Sequence, residues 1–147
     1  MKNTTKAHSS SLFLLELTIA IVIFSLASGV SLQFFAKAHL WNKEAKAITF
    51  FSGECSLAAE ITKVSSSREE LHASLLTVYP EGKATNDGLI LYFDEAFLPS
   101  HEEKARFTYY INYDIKGNFL NCDMKVIDLH SDLAIYELDY RHFVKGK

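Results

Sequence analysis

The chain has 147 residues and a mass of 16.6 kDa, a length that suits one folded domain of modest size. With 22% charged residues, two prolines, six glycines and a net charge of −3, it is neither a disordered tail nor a chain with a general attraction to nucleic acid. Two cysteines are too few for a four-cysteine zinc site or a disulfide-dense scaffold. The mean hydropathy of +0.03 conceals an uneven distribution of apolar residues.

The N-terminal segment combines a short basic stretch with a long apolar run. Lys2 and Lys6 are the only lysines of the first eleven residues, which contain no acidic residue. In residues 12–36 that follow, Glu16 is the only ionisable side chain. Residues 17–36 would span about 30 Å as a helix, which matches the hydrocarbon thickness of a bilayer. The pattern predicts one membrane-spanning helix.

Three kinds of N-terminal segment share these features. A secretory signal peptide would find small residues for cleavage at Ala27-Ser28-Gly29, but a carboxylate inside its apolar core fits poorly. A lipoprotein signal needs a cysteine directly after the apolar run, and the first cysteine is Cys55. An ordinary signal anchor remains open, although a carboxylate at membrane depth costs a few kcal/mol and usually has a function.

The residues around the start of the apolar run resemble a known processing signal. The segment reads Ser11-Leu12-Phe13-Leu14-Leu15-Glu16-Leu17. A basic leader followed by an apolar run with glutamate at its fifth position is similar to the signal of type IV prepilins and pseudopilins. The family prefers glycine where Ser11 stands and phenylalanine or methionine where Leu12 stands. The resemblance covers roughly residues 2–41.

The resemblance implies a processing and assembly pathway. A membrane-embedded prepilin peptidase would remove a leader of residues 1–11 by cutting between Ser11 and Leu12, and would methylate the new amine of Leu12. The helix of residues 12–40 would stay in the lipid bilayer until a membrane assembly platform moves it into a fibre of pilin or pseudopilin subunits. Glu16 would then pair with the terminal amine of an adjacent subunit and set the register between them.

The helix is expected to continue well beyond the membrane. No proline occurs before Pro80, so a helix from Leu12 to about Val64 is predicted, with Gly29 as its one evident weak point or, alternatively, a site of close helix packing. After residue 41 the pattern becomes amphipathic, which predicts that this half packs on the rest of the chain. Its polar stripe consists of Thr49, Gly53, Ser56, Glu60 and Lys63.

The remainder of the chain reads as a short helix followed by strands. Ser67 and Glu70 form a capping-box pattern for a helix through about Leu76. Alternating apolar residues then predict four strand-like segments, with a hairpin turn at Lys116-Gly117-Asn118. We therefore predict an α+β protein in which residues 41–147 form a globular domain. Its antiparallel sheet of three or four strands would pack on the second half of the long helix.

The candidate chemistry is sparse. Cys55 lies on the apolar arc of the helix and Cys122 on the apolar face of a strand, so both could point into one core. A disulfide between them and a pair of buried free thiols both remain open. The six histidines have no metal-ligand spacing, and there is no phosphate-binding glycine loop or nucleophile elbow. We therefore expect no catalytic residues, no metal and no cofactor.

The leading hypothesis is a non-enzymatic structural subunit, either shaft or minor, of a type II secretion, type IV pilus or competence pseudopilus fibre. The leader would lie in the cytoplasm and the C-terminal domain outside it, joined by a single pass through the cytoplasmic membrane. Nucleic acid is not an expected partner, because removal of Lys2 and Lys6 leaves 13 basic and 18 acidic residues. The alternative is a single-pass membrane-anchored extracytoplasmic sensor or binding protein.

Overall fold

The computed structural model describes the backbone of residues 4–144 and the side chains from residue 11 to residue 144. The first three residues of the predicted leader and the last three of the predicted globular domain lie outside this part. The elements are α1 (Thr4–Val64), α2 (Arg68–Val78), β1 (Lys83–Ala84), β2 (Gly88–Phe93), a 3₁₀ turn (Glu102–Lys104), β3 (Phe107–Lys116), β4 (Phe119–Asp128) and β5 (Leu133–Phe143). This α+β arrangement confirms the predicted fold class and is consistent with a pilin-like fold.

The chain forms two compact units, Met1–Lys43 and Glu44–Lys147. The first unit contains the N-terminal part of α1. The second contains the rest of α1 together with α2 and the sheet. The core therefore belongs to the second unit, in which every buried apolar residue of the described part lies.

α1 begins earlier than the sequence predicts and ends where expected. It begins at Thr4 rather than Leu12, so it includes most of the predicted leader, and it ends at Val64. The leader lacks proline and glycine, so nothing in its sequence stops the helix from extending toward the N-terminus. The helix also continues through Gly29, where an added Cβ would meet no atom within 4 Å. Gly29 therefore has open space around it in the isolated chain.

The sheet has five antiparallel strands in the order β1-β2-β3-β4-β5, one more than the upper number predicted. The additional strand, β1, has only two residues, of which Lys83 pairs with Ile90. A strand of two residues is too short to show alternation, so it cannot be predicted from the sequence pattern. The predicted β3–β4 hairpin is confirmed, because Lys116 pairs with Phe119 across a two-residue loop in which Gly117 has φ +61°.

One face of α1 packs on the inner face of the sheet. The buried helix positions recur at intervals of three and four residues, as one face of a helix requires: Ala47, Phe51, Cys55, Ala58 and Thr62. The ring of Phe51 lies at their centre, with centroids 5.3 Å from Phe107 and 5.4 Å from Phe93. The predicted polar stripe is exposed along its whole length, as expected. The amphipathic pattern therefore identified the exposed side of this half of α1.

α2 confirms the predicted cap. The Ser67 hydroxyl accepts a hydrogen bond from the backbone N–H of Glu70 at 3.2 Å, and the Glu70 carboxylate accepts one from the N–H of Ser66 at 2.9 Å. Leu71 and Leu75 bury one side of the helix against the core. α2 ends at Val78, two residues beyond the predicted end.

Candidate functional site

The first candidate site is the apolar surface of α1 in the N-terminal unit. All side chains of residues 12–36 are exposed except that of Ser28, which is half-buried, and Phe24 and Phe35 each expose 75% of their surface. Within the part of the chain that the structure describes, α1 is the one helix long and apolar enough to cross a membrane, by length and composition. An apolar surface of this extent needs lipid or protein to cover it.

Three of the four hydroxyl groups of residues 12–36 are paired within the helix. Thr18, Ser25 and Ser31 each donate to the carbonyl oxygen four residues earlier, at 2.8 Å. Because a bilayer offers no water to pair with polar groups, such internal hydrogen bonds suit a lipid environment. The carboxylate of Glu16 is the one ionisable group of residues 12–36.

Glu16 is exposed and lies one helical turn after Leu12. It makes no hydrogen bond or ion pair with any side chain from residue 11 to residue 144. Its neighbours at the same side of the helix are apolar, including Leu12 and Phe13, which expose 64% and 65% of their surfaces. When water is removed, a carboxyl group in this setting is either protonated or paired with a cation from another molecule.

The predicted cleavage residues both lie on this exposed helix. Ser11 and Leu12 are consecutive residues of α1 with exposed side chains. The structure therefore places the predicted processing site and Glu16 within two turns of one another. The two cysteines belong to the other unit.

Cys55 and Cys122 lie in the same hydrophobic core as free thiols. Both are almost fully buried, with exposures of 0% and 1%. Burial raises the pKa of both thiols, that of Cys122 to about 12. Since the thiolate is the reactive form, neither is a nucleophile at neutral pH. The disulfide remains a prediction, and the thiols serve here as small apolar groups.

The second candidate site is an open groove in the C-terminal unit, which we call the aromatic groove. It has a volume of about 370 Å³ and lies between α1, the end of α2 and strand β2. Its walls are lined by Phe50, Glu54, Leu57, Val78, Tyr79, Pro80, Glu81, Leu91, Tyr92, Phe93, Phe97 and Pro99. Because these residues come from four separate segments, no local pattern in the sequence indicates the groove.

A hydrogen bond holds a carboxylate in this groove. The Tyr79 hydroxyl donates to Oε2 of Glu54 at 2.8 Å. Burial, and next the neighbouring Glu54 carboxylate, raise the pKa of Tyr79, so the phenol stays protonated and continues to donate. The rings of Phe50 and Phe97 stack with centroids 5.0 Å apart and form an aromatic wall. The groove thus combines aromatic surface with a half-buried negative charge.

The residues described by the structure contain no group of three His, Cys, Asp or Glu side chains that could hold a metal ion. Comparisons of the chain with family models, with curated proteins and with solved structures find no match. Function is therefore inferred from the residues and their geometry.

Proposed function

We propose that this chain is a non-enzymatic structural subunit, of pilin or pseudopilin type, in a fibre of a type II secretion, type IV pilus or competence system. The observation that carries the proposal is the lone exposed carboxylate of Glu16 at the start of an apolar helix whose next twenty residues lack charge. The later residues of the same helix pack on an antiparallel sheet. This combination supports an anchor that first occupies lipid and then a fibre.

The physical role of Glu16 follows from the cost of burying charge. Cleavage before Leu12 would create a terminal amine at the end of an apolar helix, and neither this amine nor the Glu16 carboxylate could enter a packed fibre alone at low cost. Paired between adjacent subunits, the two charges compensate one another. Only one axial register between subunits allows the pairing, so the pair would select that register.

The proposed partners and location follow from this role. A prepilin peptidase in the cytoplasmic membrane would cut after Ser11 and methylate Leu12. The leader would remain on the cytoplasmic side, and the sheet domain would lie outside the cytoplasm. Further pilin-like subunits and a membrane assembly platform would complete the fibre.

Processing gives the direct test. The full chain is co-produced with a prepilin peptidase and the product is analysed by N-terminal sequencing and intact mass. We expect a mature chain that begins at Leu12 and carries one methyl group. Ser11→Gly, which matches the family preference, should be cleaved at least as well, whereas Ser11→Leu should block cleavage. An intact Met1 end in the presence of active peptidase contradicts the proposal.

One observation favours a second candidate function, a single-pass membrane-anchored sensor or binding protein. The aromatic groove has the size of many ligand sites, which span roughly 300–1,000 Å³, and it offers Glu54 as a polar anchor. For this function Met1 would be retained and α1 would serve only as the anchor. If N-terminal sequencing instead found a mature chain that begins near Val30, the protein would be a secreted one.

A further inference from the structure

The last strand of the sheet, β5, has one open edge. It pairs with β4 on one side and stands at the end of the order β1-β2-β3-β4-β5. The N–H of Val144 donates to the carbonyl oxygen of Asn118 at 2.8 Å, so every second residue of β5 before it directs its backbone groups toward β4. The residues between them direct theirs outward, where no strand of the described chain meets them: Glu137, Asp139, Arg141 and Phe143. We call this exposed row the β5 edge.

The opposite edge of the sheet is covered. β1 pairs with the start of β2, and farther along β2 the N–H of Ser100 donates to the carbonyl oxygen of Tyr92 at 2.9 Å, while Pro99 bridges Phe93. β5 has eleven residues and contains neither proline nor lysine, two residues that protect many sheet edges from further pairing. The register shift near Val126 lies outside the β5 edge. The row of unpaired donors and acceptors is therefore complementary to another extended chain.

Two acidic side chains next to the β5 edge are directly opposed. Asp139 stands opposite Asp123 on β4, both are exposed, and neither forms an ion pair within residues 11–144. Lys125, two residues after Asp123, is already paired with Glu137 at 2.7 Å. Like charges in directly opposed positions destabilise a sheet. A basic side chain on an added strand would compensate them.

The other end of the β5 edge is aromatic. Phe143 exposes 50% of its surface, and its ring centroid lies 5.4 Å from that of Phe119. The guanidinium of Arg141 stacks over the Phe119 ring at 4.0 Å. Exposed aromatic and arginine side chains are enriched in protein interfaces. An apolar side chain on an added strand would pack here.

Resting on the proposed function, we propose that the β5 edge binds an extended segment of a different protein, which adds to the five-stranded sheet as a sixth antiparallel strand. The backbone of this segment takes up the hydrogen bonds that the edge leaves open. Its sequence has an apolar residue beside Phe143 and, four positions later, a basic residue beside Asp139. The antiparallel direction continues that of every strand pair in the sheet.

A second copy of this chain does not suit the β5 edge. Two identical edges that pair antiparallel are related by a twofold axis normal to the sheet. Rotation about this axis reverses every direction in the plane of the sheet, including that of the α1 segment packed on it between Ala47 and Thr62. Copies that share one membrane and one fibre direction, as the proposed function requires, are not reversed in this way. The other edge of a second copy is covered by β1 and Pro99, so the added strand comes from another protein.

A synthetic peptide tests the edge with a defined probe. The peptide Thr-Phe-Val-Glu-Val-Lys-Ile-Lys-Thr, labelled with a fluorophore, places phenylalanine beside Phe143 and its first lysine beside Asp139 when it pairs antiparallel. Its binding to the full chain in detergent is measured by fluorescence anisotropy. We expect saturable binding, and Asp139→Lys should weaken it about two- to fivefold, the effect of an exposed ion pair.

N-methylated peptides distinguish strand addition from general stickiness without altering the protein. Methyl groups on the amides of the glutamate and the first lysine block two hydrogen bonds to the edge, so affinity should fall about tenfold or more. The matched control carries the methyl groups on the two valines, whose amides face away from β5, and should bind nearly as well as the parent peptide.

A proline substitution tests the same hydrogen bonds from the side of the protein. Arg141→Pro removes one outward N–H, which an edge strand tolerates, and should weaken binding about tenfold. Arg141→Ala is the matched control, because it removes the same side chain and keeps the N–H, and it should weaken binding less than about threefold. Urea unfolding of both variants confirms that they are folded.

The outcomes separate this contact from the proposed function. No binding up to about 1 mM peptide, equal losses for the two methylated peptides, or unchanged affinity of a folded Arg141→Pro would overturn the proposal. A dimer of the chain itself that Arg141→Pro dissociates would assign the edge to a second copy and would overturn it too. Cleavage before Leu12 is measured on the same preparation, so a cleaved chain that binds no peptide rejects the contact and leaves the proposed function standing.

Discussion

At the scale of single residues, the most informative side chain is the one that does not suit its surroundings. Glu16 is the only ionisable residue of positions 12–36, and it is exposed on an apolar helix without a partner among the described side chains. A leucine there would make a better membrane anchor by several kcal/mol. In the proposed function, the carboxylate acts after the helix leaves the lipid.

Replacement of Glu16 separates insertion from assembly. Glu16→Leu should leave membrane insertion and cleavage before Leu12 largely intact, because the variant is more apolar. It should strongly reduce incorporation into a fibre, because the terminal amine of the neighbouring subunit loses its counter-charge. Sheared fibres are quantified by immunoblotting and compared with membrane-bound protein.

Thr18→Leu is the matched control for this experiment. Thr18 lies two residues away, and its hydroxyl is already paired with the carbonyl oxygen of Leu14. Its replacement removes a polar group of the same helix without removing a charge, so assembly should continue. Normal assembly of Glu16→Leu would refute the role assigned to the carboxylate.

At the scale of elements, periodicity predicted the packing faces well. The three- and four-residue spacing of α1 identified the exposed stripe around Gly53, and Phe51 is buried on the apolar arc outside this stripe. β5 shows the same regularity, because Tyr136, Leu138 and Tyr140 pack half-buried against the core while Glu137 and Asp139 between them are exposed. Both patterns are repeated several times along one element, so they do not depend on tertiary structure.

Features made by distant segments could not be predicted in this way. Gly88 must lack a side chain, since a Cβ there would lie 1.9 Å from the carbonyl oxygen of Ile111 on β3. The aromatic groove likewise requires α1, α2 and β2 to be in place. Each depends on contacts whose partners the sequence alone does not identify.

Phe51 should be the largest single contributor to the contact between α1 and the sheet. Its ring is fully buried and contacts Phe93, Phe107 and Tyr109. Phe51→Ala should reduce the free energy of unfolding of the C-terminal unit by about 3–5 kcal/mol, through lost burial and the cavity left behind. Urea unfolding of the full chain in detergent, followed by tyrosine fluorescence, measures the change.

Leu57→Ala on the same helix provides the comparison. Leu57 is 45% exposed, so its truncation removes less buried surface and should cost well under half as much as Phe51→Ala. Equal losses in the two variants would contradict the assigned packing face.

At the scale of the whole molecule, the average composition describes neither unit. The mean hydropathy near zero combines an apolar helical segment with a sheet domain rich in tyrosine. Several of these tyrosines are directed into the core, and Tyr109 is fully buried with its hydroxyl 3.4 Å from the sulfur of Met124. The domain therefore contains phenols and thiols that can ionise only at a high cost in free energy.

This composition predicts that the C-terminal unit is sensitive to alkali. Burial is the main cause that raises the pKa of Tyr109, Tyr79 and Tyr140 above the ordinary value of 10.0, and it raises the pKa of Cys122 from 9.0 to about 12. Above these ordinary values the unfolded chain has lost protons that the folded chain still binds. Between neutral pH and about pH 9 these groups should leave the free energy of unfolding unchanged, and above pH 9 it should fall, by up to about 1.4 kcal/mol per pH unit for each group.

Tyr109→Phe tests the assignment of this sensitivity to the core. The variant keeps the buried ring and loses only weak hydrogen bonds to the sulfur atoms of Met124 and Cys55, so the unit should remain folded at pH 7. Between pH 10 and 11.5 its stability should fall less steeply than that of the parent chain, because one ionising group has been removed. Urea unfolding at a series of pH values, with tyrosinate absorbance recorded in parallel, provides both curves. Superimposable pH profiles for the two chains would show that Tyr109 is not among the groups whose ionisation unfolds the domain.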